Sequence, residues 1–306
     1  MKRAGGPLGR IEQRAAYLFL LPWLLGLAAF WLIPIFASIL ISMTDWNIVS
    51  DPKWVGFDNY HELLFEDRNF WLAVRVTLKY MVLSVPLYLI CGLVLSLLLN
   101  LKIRGINLFR TILFLPSVLS GVAVAVLWVA LLNPDVGAVN SLLHSIGIDH
   151  PPRWLGSPTW AVPSVVLVGL WGIGGGAIIY LAGLQNIPAQ LYEAALLDGA
   201  GPLQRFRYVT LPMITPTLLF VLLTGMIEAF QVFDTAYVLG GSQGAVGDSL
   251  RFYLINMWNE AFVNSRYGYA SALAWMLVVA ASLVILVIFR TSGRWVYYEY
   301  DPERER

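Results

Sequence analysis

The sequence predicts an all-α integral membrane protein with six transmembrane helices, both termini on the cytoplasmic side, and one short surface helix between spans four and five. Three observations carry that expectation. The chain of 306 residues is 58% hydrophobic with a mean hydropathy of +0.69. Charged residues amount to 13%, against about 25% in an ordinary soluble domain. Six apolar stretches each reach the roughly 20 residues a bilayer crossing needs, and the polar segments between them alternate between rich and poor in Lys and Arg.

Composition also excludes several classes. A formal net charge of +1 and the lack of any basic, aromatic-interleaved run leave no footprint for nucleic acid. The single cysteine, Cys91, lies in an apolar stretch, so neither a disulfide framework nor a cysteine metal site fits within this chain. His61, His144 and His150 are scattered over polar segments, and no helical His pair or catalytic triad emerges from them.

The first stretch, 15–42, follows the basic residues Lys2, Arg3, Arg10 and Arg14 of an N-terminal tail, 1–14. It exceeds the 7–15 apolar residues of a typical secretory signal and shows no convincing small-residue cleavage site, so it reads as a retained anchor. The second, 71–99, carries Arg75 and Lys79 one helical turn apart near one end. Long basic side chains there reach the interface by snorkelling, and a substrate-facing role is the alternative. The third runs over 111–132 and the fourth over 161–185. The fourth contains Trp171-Gly172-Ile173-Gly174-Gly175-Gly176, a run that weakens helix continuity at membrane depth. The fifth is placed at 213–239 and the sixth at 268–290, before a C-terminal tail, 291–306. Trp46, Trp54, Trp154, Trp160, Trp295, Tyr297 and Tyr298 lie near span ends, where amphipathic rings favour the headgroup region.

Orientation follows from the basic residues. The N-terminal tail, the segment with Lys102, Arg104 and Arg110, the segment with Arg205 and Arg207, and the C-terminal segment counted from Arg290 hold 13 Lys or Arg; the opposite set (Lys53, Arg68, Arg153, Arg251 and Arg266) holds five. The richer set is expected in the cytoplasm.

One of those richer segments, 186–212, has the pattern of a folded element. Pro188 suits a first helical turn, Ala189 to Leu197 are good helix formers, Asp198-Gly199 stops the helix, and Gly201-Pro202 turns the chain again. Leu191, Ala194, Ala195 and Leu196 alternate with Tyr192 and Glu193. Such a segment fits either a knob for a partner's groove or a packed surface helix.

Glu193-Ala194-Ala195, Asp198-Gly199-Ala200, Leu211-Pro212 and Pro216 resemble the EAA loop of permeases in binding-protein-dependent ATP-binding-cassette importers. The likeness covers most of the chain and points to the maltose and glycerol-phosphate group. It continues in Trp54 to Tyr60, in Leu115-Pro116, Trp128, Pro134, Gly137 and Asn140, in Phe233-Asp234, and in Tyr267-Gly268-Tyr269-Ala270 with Ala272. At Gly240-Gly241-Ser242 the chain departs from the Gly-Gly-Pro that relatives often show.

The resemblance implies a permease in a bacterial cytoplasmic (inner) membrane that works with a second homologous permease, two ATPase subunits and an extracytoplasmic solute-binding protein. Its substrate would be a sugar, oligosaccharide or sugar derivative. Tyr192, Glu193, Ala194, Ala195, Asp198, Gly199, Ala200 and Pro212 would form the loop that docks on the ATPase. No G-x-x-x-x-G-K-[ST] occurs, so this chain is expected to bind no cofactor, with ATP and Mg on the ATPase partners.

Polar residues within the spans mark a path for the substrate. Glu228 lies near the middle of the fifth stretch, where an acid costs about 2.5–3.5 kcal/mol unless it finds a partner or water. Gln231 and Asp234 follow at steps that place all three on one broad face of a continuous helix. They suit either a substrate path or interhelical hydrogen bonds. By similarity, the Trp171 to Gly176 run contributes to the sugar site, with Gly172 and Gly175 leaving space and Trp171 offering a ring face. Close helix packing is the competing account of those glycines. An ion-coupled carrier is the alternative function; it would call for inverted repeats and charged relays, which the sequence does not display. A membrane-embedded enzyme would need catalytic groups clustered at one depth, and none is convincing.

Overall fold

The computed structural model describes residues 7–242 and 244–297, with side chains from residue 15 onward. The tail before Pro7, the side chains of Arg10 and Arg14, and the predicted anchor Tyr298 with the tail beyond it lie outside the described residues. Among the described residues, four helical segments are long and apolar enough to cross a membrane: Ala15–Ser42, Arg68–Leu99, Pro202–Phe230 and Tyr267–Ser292. Two bent pairs, Ile106–Val118 with Gly121–Leu131 and Ala161–Trp171 with Gly174–Gln185, bring the number to six if each pair is one span.

The breaks have local causes. The first helix starts at Pro7, within the predicted tail, and widens to a π-turn over Ala28–Leu32 just before Pro34. Pro34 has no N–H for the helical ladder, and a wider turn accommodates its ring. The third predicted span is not one helix. It begins at Ile106 and bends by 97° after Val118, where Leu119 and Ser120 are extended. Pro116 has already removed a donor there, and Ser120-Gly121 is a turn-forming dipeptide. The fourth span bends by 53° at Gly172-Ile173, within the glycine run.

The fifth predicted span also requires correction. Its helix ends at Phe230, the chain leaves helical geometry through Phe233, and a separate helix occupies Asp234–Gly240. Glu228, Gln231 and Asp234 therefore do not share one face of a continuous helix.

The described chain divides into two compact units, Met1–Glu66 with Glu260–Met276, and Asp67–Asn259 with Leu277–Arg306. In the smaller unit a two-stranded antiparallel ribbon pairs Thr44–Asp45 with Lys53–Trp54. The Trp54 to Tyr60 stretch clasps the end of the Ile33–Ser42 helix. Val55 and Gly56 N–H donate to the Met43 carbonyl at 3.0 Å, and Asn59 Nδ2 donates to the carbonyls of Ser42 (2.8 Å) and Thr44 (3.0 Å). The Tyr60 and Ser42 hydroxyls meet at 2.7 Å. These bonds satisfy carbonyls that a helix end leaves unpaired. Further along, Tyr267 N–H donates to the Trp46 carbonyl at 2.9 Å, and Trp275 Nε1 donates to Ser38 Oγ at 3.1 Å.

Arg266 organises the charges of this unit. Its Nη2 lies 2.6 Å from Glu62 Oε2, its Nη1 lies 3.6 Å from Oε2 of the buried Glu260, and its guanidinium sits 4.3 Å from the Tyr269 ring centre. Burial opposes the guanidinium's charge, but the Glu62 hydrogen bond and the charges of Glu62 and Glu260 outweigh it and raise the pKa above the ordinary value. Arg266→Met leaves Glu260 buried without its cation. Loss of a partner from a fully buried pair costs about 3–5 kcal/mol; because 42% of the Arg266 side chain is exposed, the expected destabilisation is about 1–3 kcal/mol. Thermal unfolding in detergent should fall accordingly, and Arg266→Lys should recover part of the loss. An unchanged melting point for Arg266→Met would remove the structural role assigned to it.

In the larger unit the core joins Val76, Tyr80 and Val85 of Arg68–Leu99 to Val162, Val165 and Val166 of Ala161–Trp171, and to Phe252 and Ile255 near the Tyr253–Trp258 helix. Tyr80 meets Phe252 edge-on at 5.4 Å, and Thr77 Oγ1 accepts from Tyr253 N–H at 3.0 Å. The Trp128 to Asn140 match has a structural basis as well. Asn140 Nδ2 donates to the Pro134 carbonyl at 3.0 Å, while its Oδ1 accepts from Trp154 Nε1 at 2.7 Å.

Candidate functional site: an intramembrane cavity and an exposed loop helix

Three elements of the larger unit converge on a cavity of about 520 Å³, a size within the roughly 300–1,000 Å³ usual for small-ligand sites. Arg68–Leu99 contributes Tyr80, Ser84 and Tyr88, which fall on one face because they are four residues apart. Leu211–Phe230 contributes Thr224 and Glu228 at the same spacing. The bent pair between them supplies Gly172, Gly175, Gly176 and Tyr180.

The tyrosines are held from behind. Tyr88 O–H donates to the Val166 carbonyl at 2.9 Å, and the Tyr80 and Tyr88 hydroxyls are 3.5 Å apart. Gly92 faces the Tyr180 ring, where an added Cβ would lie 3.0 Å from Cε2. Only a residue without a side chain leaves that ring its place. The Tyr180 hydroxyl is buried and has no hydrogen-bond partner among the described residues, which is uncommon in folded proteins.

The predicted path residues separate here. Gly172, Gly175 and Glu228 line the cavity; Trp171, Gln231 and Asp234 do not. The Trp171 ring meets Trp128 edge-on at 6.0 Å, so it packs helix against helix. Gln231 and Asp234 are exposed beyond the helix end. Arg75 and Lys79 are exposed too and stay off the cavity wall. Sequence reasoning passed over Tyr80, Ser84, Tyr88, Tyr180 and Thr224. The four-residue spacing of polar groups in two otherwise apolar helices carries the signal for most of them.

The second feature is the loop helix, Ala189–Leu197. Pro188 precedes it in extended geometry, Asp198 caps it, and Gly199 turns back at φ +78° with no atom within 4 Å of where a Cβ would stand. Conformation alone therefore favours glycine at 199. Tyr192 ties the helix down, with its hydroxyl 2.9 Å from Thr210 Oγ1 and its ring against the cluster of Tyr180, Leu184 and Ile214. Glu193, Ala194 and Asp198 are exposed, Ala195 and Ala200 are half-buried, and Leu196 and Leu197 point outward, Leu197 at 91% exposure. Pro212 opens the Leu211–Phe230 helix.

A helical protein with four to six candidate apolar spans and a hydroxyl- and carboxylate-lined cavity between three of them has the build of a permease. Comparison with known proteins narrows that class. Residues 76–296 match the family model described as "Binding-protein-dependent transport system inner membrane component". The chain is 38% identical over 295 residues to the "Probable ABC transporter permease protein YesP" of Bacillus subtilis, covering 96% of this chain and 95% of that one. It is 34% identical to the "Trehalose/maltose transport system permease protein MalF" of Thermococcus litoralis, covering 91% and 95%. A chain in the crystal structure of a bacterial ABC transporter involved in import of the acidic polysaccharide alginate superposes with a TM-score of 0.81 at 28% identity, covering 94% of this chain and 99% of that one. The chain belongs to the binding-protein-dependent transport system inner membrane component family. It is thus a multi-pass membrane permease component and not the ATPase.

Proposed function

We propose that the chain is the transmembrane permease subunit of an ATP-binding-cassette importer for a sugar, oligosaccharide or sugar derivative delivered by an extracytoplasmic binding protein. The observation that carries this is the joint presence, in one packed unit, of a cavity rich in hydroxyls and tyrosine rings and a loop helix whose outer face is apolar and exposed. Sugars present hydroxyls at their edges and C–H faces that stack on aromatic rings. An exposed apolar knob on a short helix suits a groove on a second protein.

In this reading the bent pairs each count as one span, giving six, with both termini and the Ala189–Leu197 helix in the cytoplasm of a bacterial cell and the chain in its inner membrane. The partners are a second homologous permease, two ATPase subunits that hold ATP and Mg, and the binding protein; this chain binds no cofactor itself. Glu193, Ala194, Ala195, Asp198, Gly199 and Ala200 present the loop to the ATPase, while Tyr192 and Pro212 connect it to the fifth span. Gly172, Gly175 and Glu228 belong to the sugar path.

The test is reconstitution in vesicles. The chain with its sister permease, the ATPase pair and the binding protein should accumulate sugar only when ATP is supplied, and the chain alone should accumulate none. Uphill uptake by the chain alone would return the ion-coupled carrier to first place.

A further inference from the structure

We propose that the cavity admits uncharged, hydroxyl-rich sugars and turns away uronates, with Glu228 as the specificity-determining residue; this rests on reading the cavity as the substrate path. The wall is asymmetric in charge. Glu228 is its one carboxylate, and no Lys, Arg or His is among the described lining residues. Within the described residues Glu228 has no salt bridge or hydrogen bond, and its side chain is open rather than packed away. The basic residues nearest along the Arg68–Leu99 helix, Arg75 and Lys79, are exposed away from the wall.

A carboxylate without a partner accepts hydrogen bonds from hydroxyls, and such bonds are strengthened by its charge. The same wall carries the hydroxyl-bearing side chains of Tyr80, Tyr88 and Thr224, so a neutral sugar meets one charged acceptor among hydroxyl groups. A uronate brings a second negative charge beside Glu228, where an anion that sheds hydration needs a cation or several donors to offset the loss, and the described lining residues supply no cation. A chain of an importer of an acidic polysaccharide shares the backbone at a TM-score of 0.81, so the backbone by itself does not exclude acidic cargo, and any charge selection has to come from the side chains on the wall.

The assembled importer in vesicles provides the test, with Cys91→Ala and Thr224→Cys placing a single thiol in this chain one helical turn from Glu228. Companion subunits would be made cysteine-free, and modification of the Thr224→Cys thiol followed directly. The probes are a cationic and an anionic methanethiosulfonate reagent, each rate divided by its rate with a free thiol. With Glu228 present the cationic reagent should be favoured by at least about tenfold, the difference one charge a helical turn away makes even in water-like surroundings, and Glu228→Gln should bring the ratio close to one. An unchanged ratio in the Gln variant, or a thiol that reacts with neither reagent, would overturn the proposal. ATP-driven uptake by the parent importer before thiol substitution tests the permease reading separately; that reading can stand while charge selection fails.

Discussion

Leu197→Asp is expected to abolish ATP-driven sugar accumulation while the chain still reaches the membrane in normal amount. Leu197 ends the Ala189–Leu197 helix and is 91% exposed, with Leu196 beside it at 53% and Leu203 beyond the turn at 78%. Nothing among the described residues covers these side chains, so a charge at 197 disturbs no core contact. The residue that fastens this helix is Tyr192, through Thr210 and the cluster around Ile214, and it is untouched. An aspartate buried against an apolar groove would have to shed its water without a partner. Loss of a central anchor weakens an interface by about 2 kcal/mol or more, roughly thirtyfold in affinity. Uptake should fall below about a tenth of normal, and sugar should no longer stimulate ATP hydrolysis by the mixed subunits. Membrane levels and melting temperature should match the parent chain. Unimpaired uptake would show that this face does not carry the force.

The four long apolar helices, the apolar character of the two bent pairs, and the loop helix from Ala189 to Leu197 are legible in the sequence because all depend on local signals. An apolar run must become a helix in hydrocarbon, and Pro188 and Gly199 punctuate the loop. The breaks are less legible. Ser120-Gly121 announces one, yet the long apolar run around it argues for continuity. The end at Phe230 has no Pro or Gly nearby to mark it, so Gln231 and Asp234 read as a continuation of the Glu228 face until the tertiary structure separates them. The cavity wall was partly visible. Glu228 stands out because a charge in a span is expensive, whereas tyrosine, serine and threonine are tolerated there, and Tyr80, Ser84, Tyr88 and Thr224 raise no such alarm. Trp171 shows the opposite failure: a ring suited to sugar stacking turns out to pack on Trp128. Which face an aromatic presents depends on its neighbours in space.

The same dependence gives the second large effect, in a run of three glycines that sequence alone cannot rank. Gly174→Ala should be strongly destabilising and Gly176→Ala nearly neutral. A Cβ at Gly174 would fall on the backbone carbonyl of Leu113 in the Ile106–Val118 helix, whereas a Cβ at Gly176 meets nothing within 4 Å. Gly175 is intermediate, with Ser117 Cβ at 3.1 Å. A side chain struck at its far end can rotate away, but a helix carbonyl is fixed by its own ladder, so the Ile106–Val118 and Gly174–Gln185 helices would have to part. Overpacking of that kind costs about 1–3 kcal/mol and more when backbone must move. At position 176 alanine brings only its better helix propensity, worth about 0.5–1 kcal/mol over glycine, and one methyl group on the cavity wall. Thermal unfolding of the two variants in detergent, beside the yield of folded chain, makes the comparison. Equal tolerance of both would mean that the two helices do not touch at Gly174, and the run would then serve the bend and the cavity alone. A selective loss at 174 would divide the run, assigning Gly174 to helix contact and leaving Gly172 and Gly176 to the bend and the substrate space.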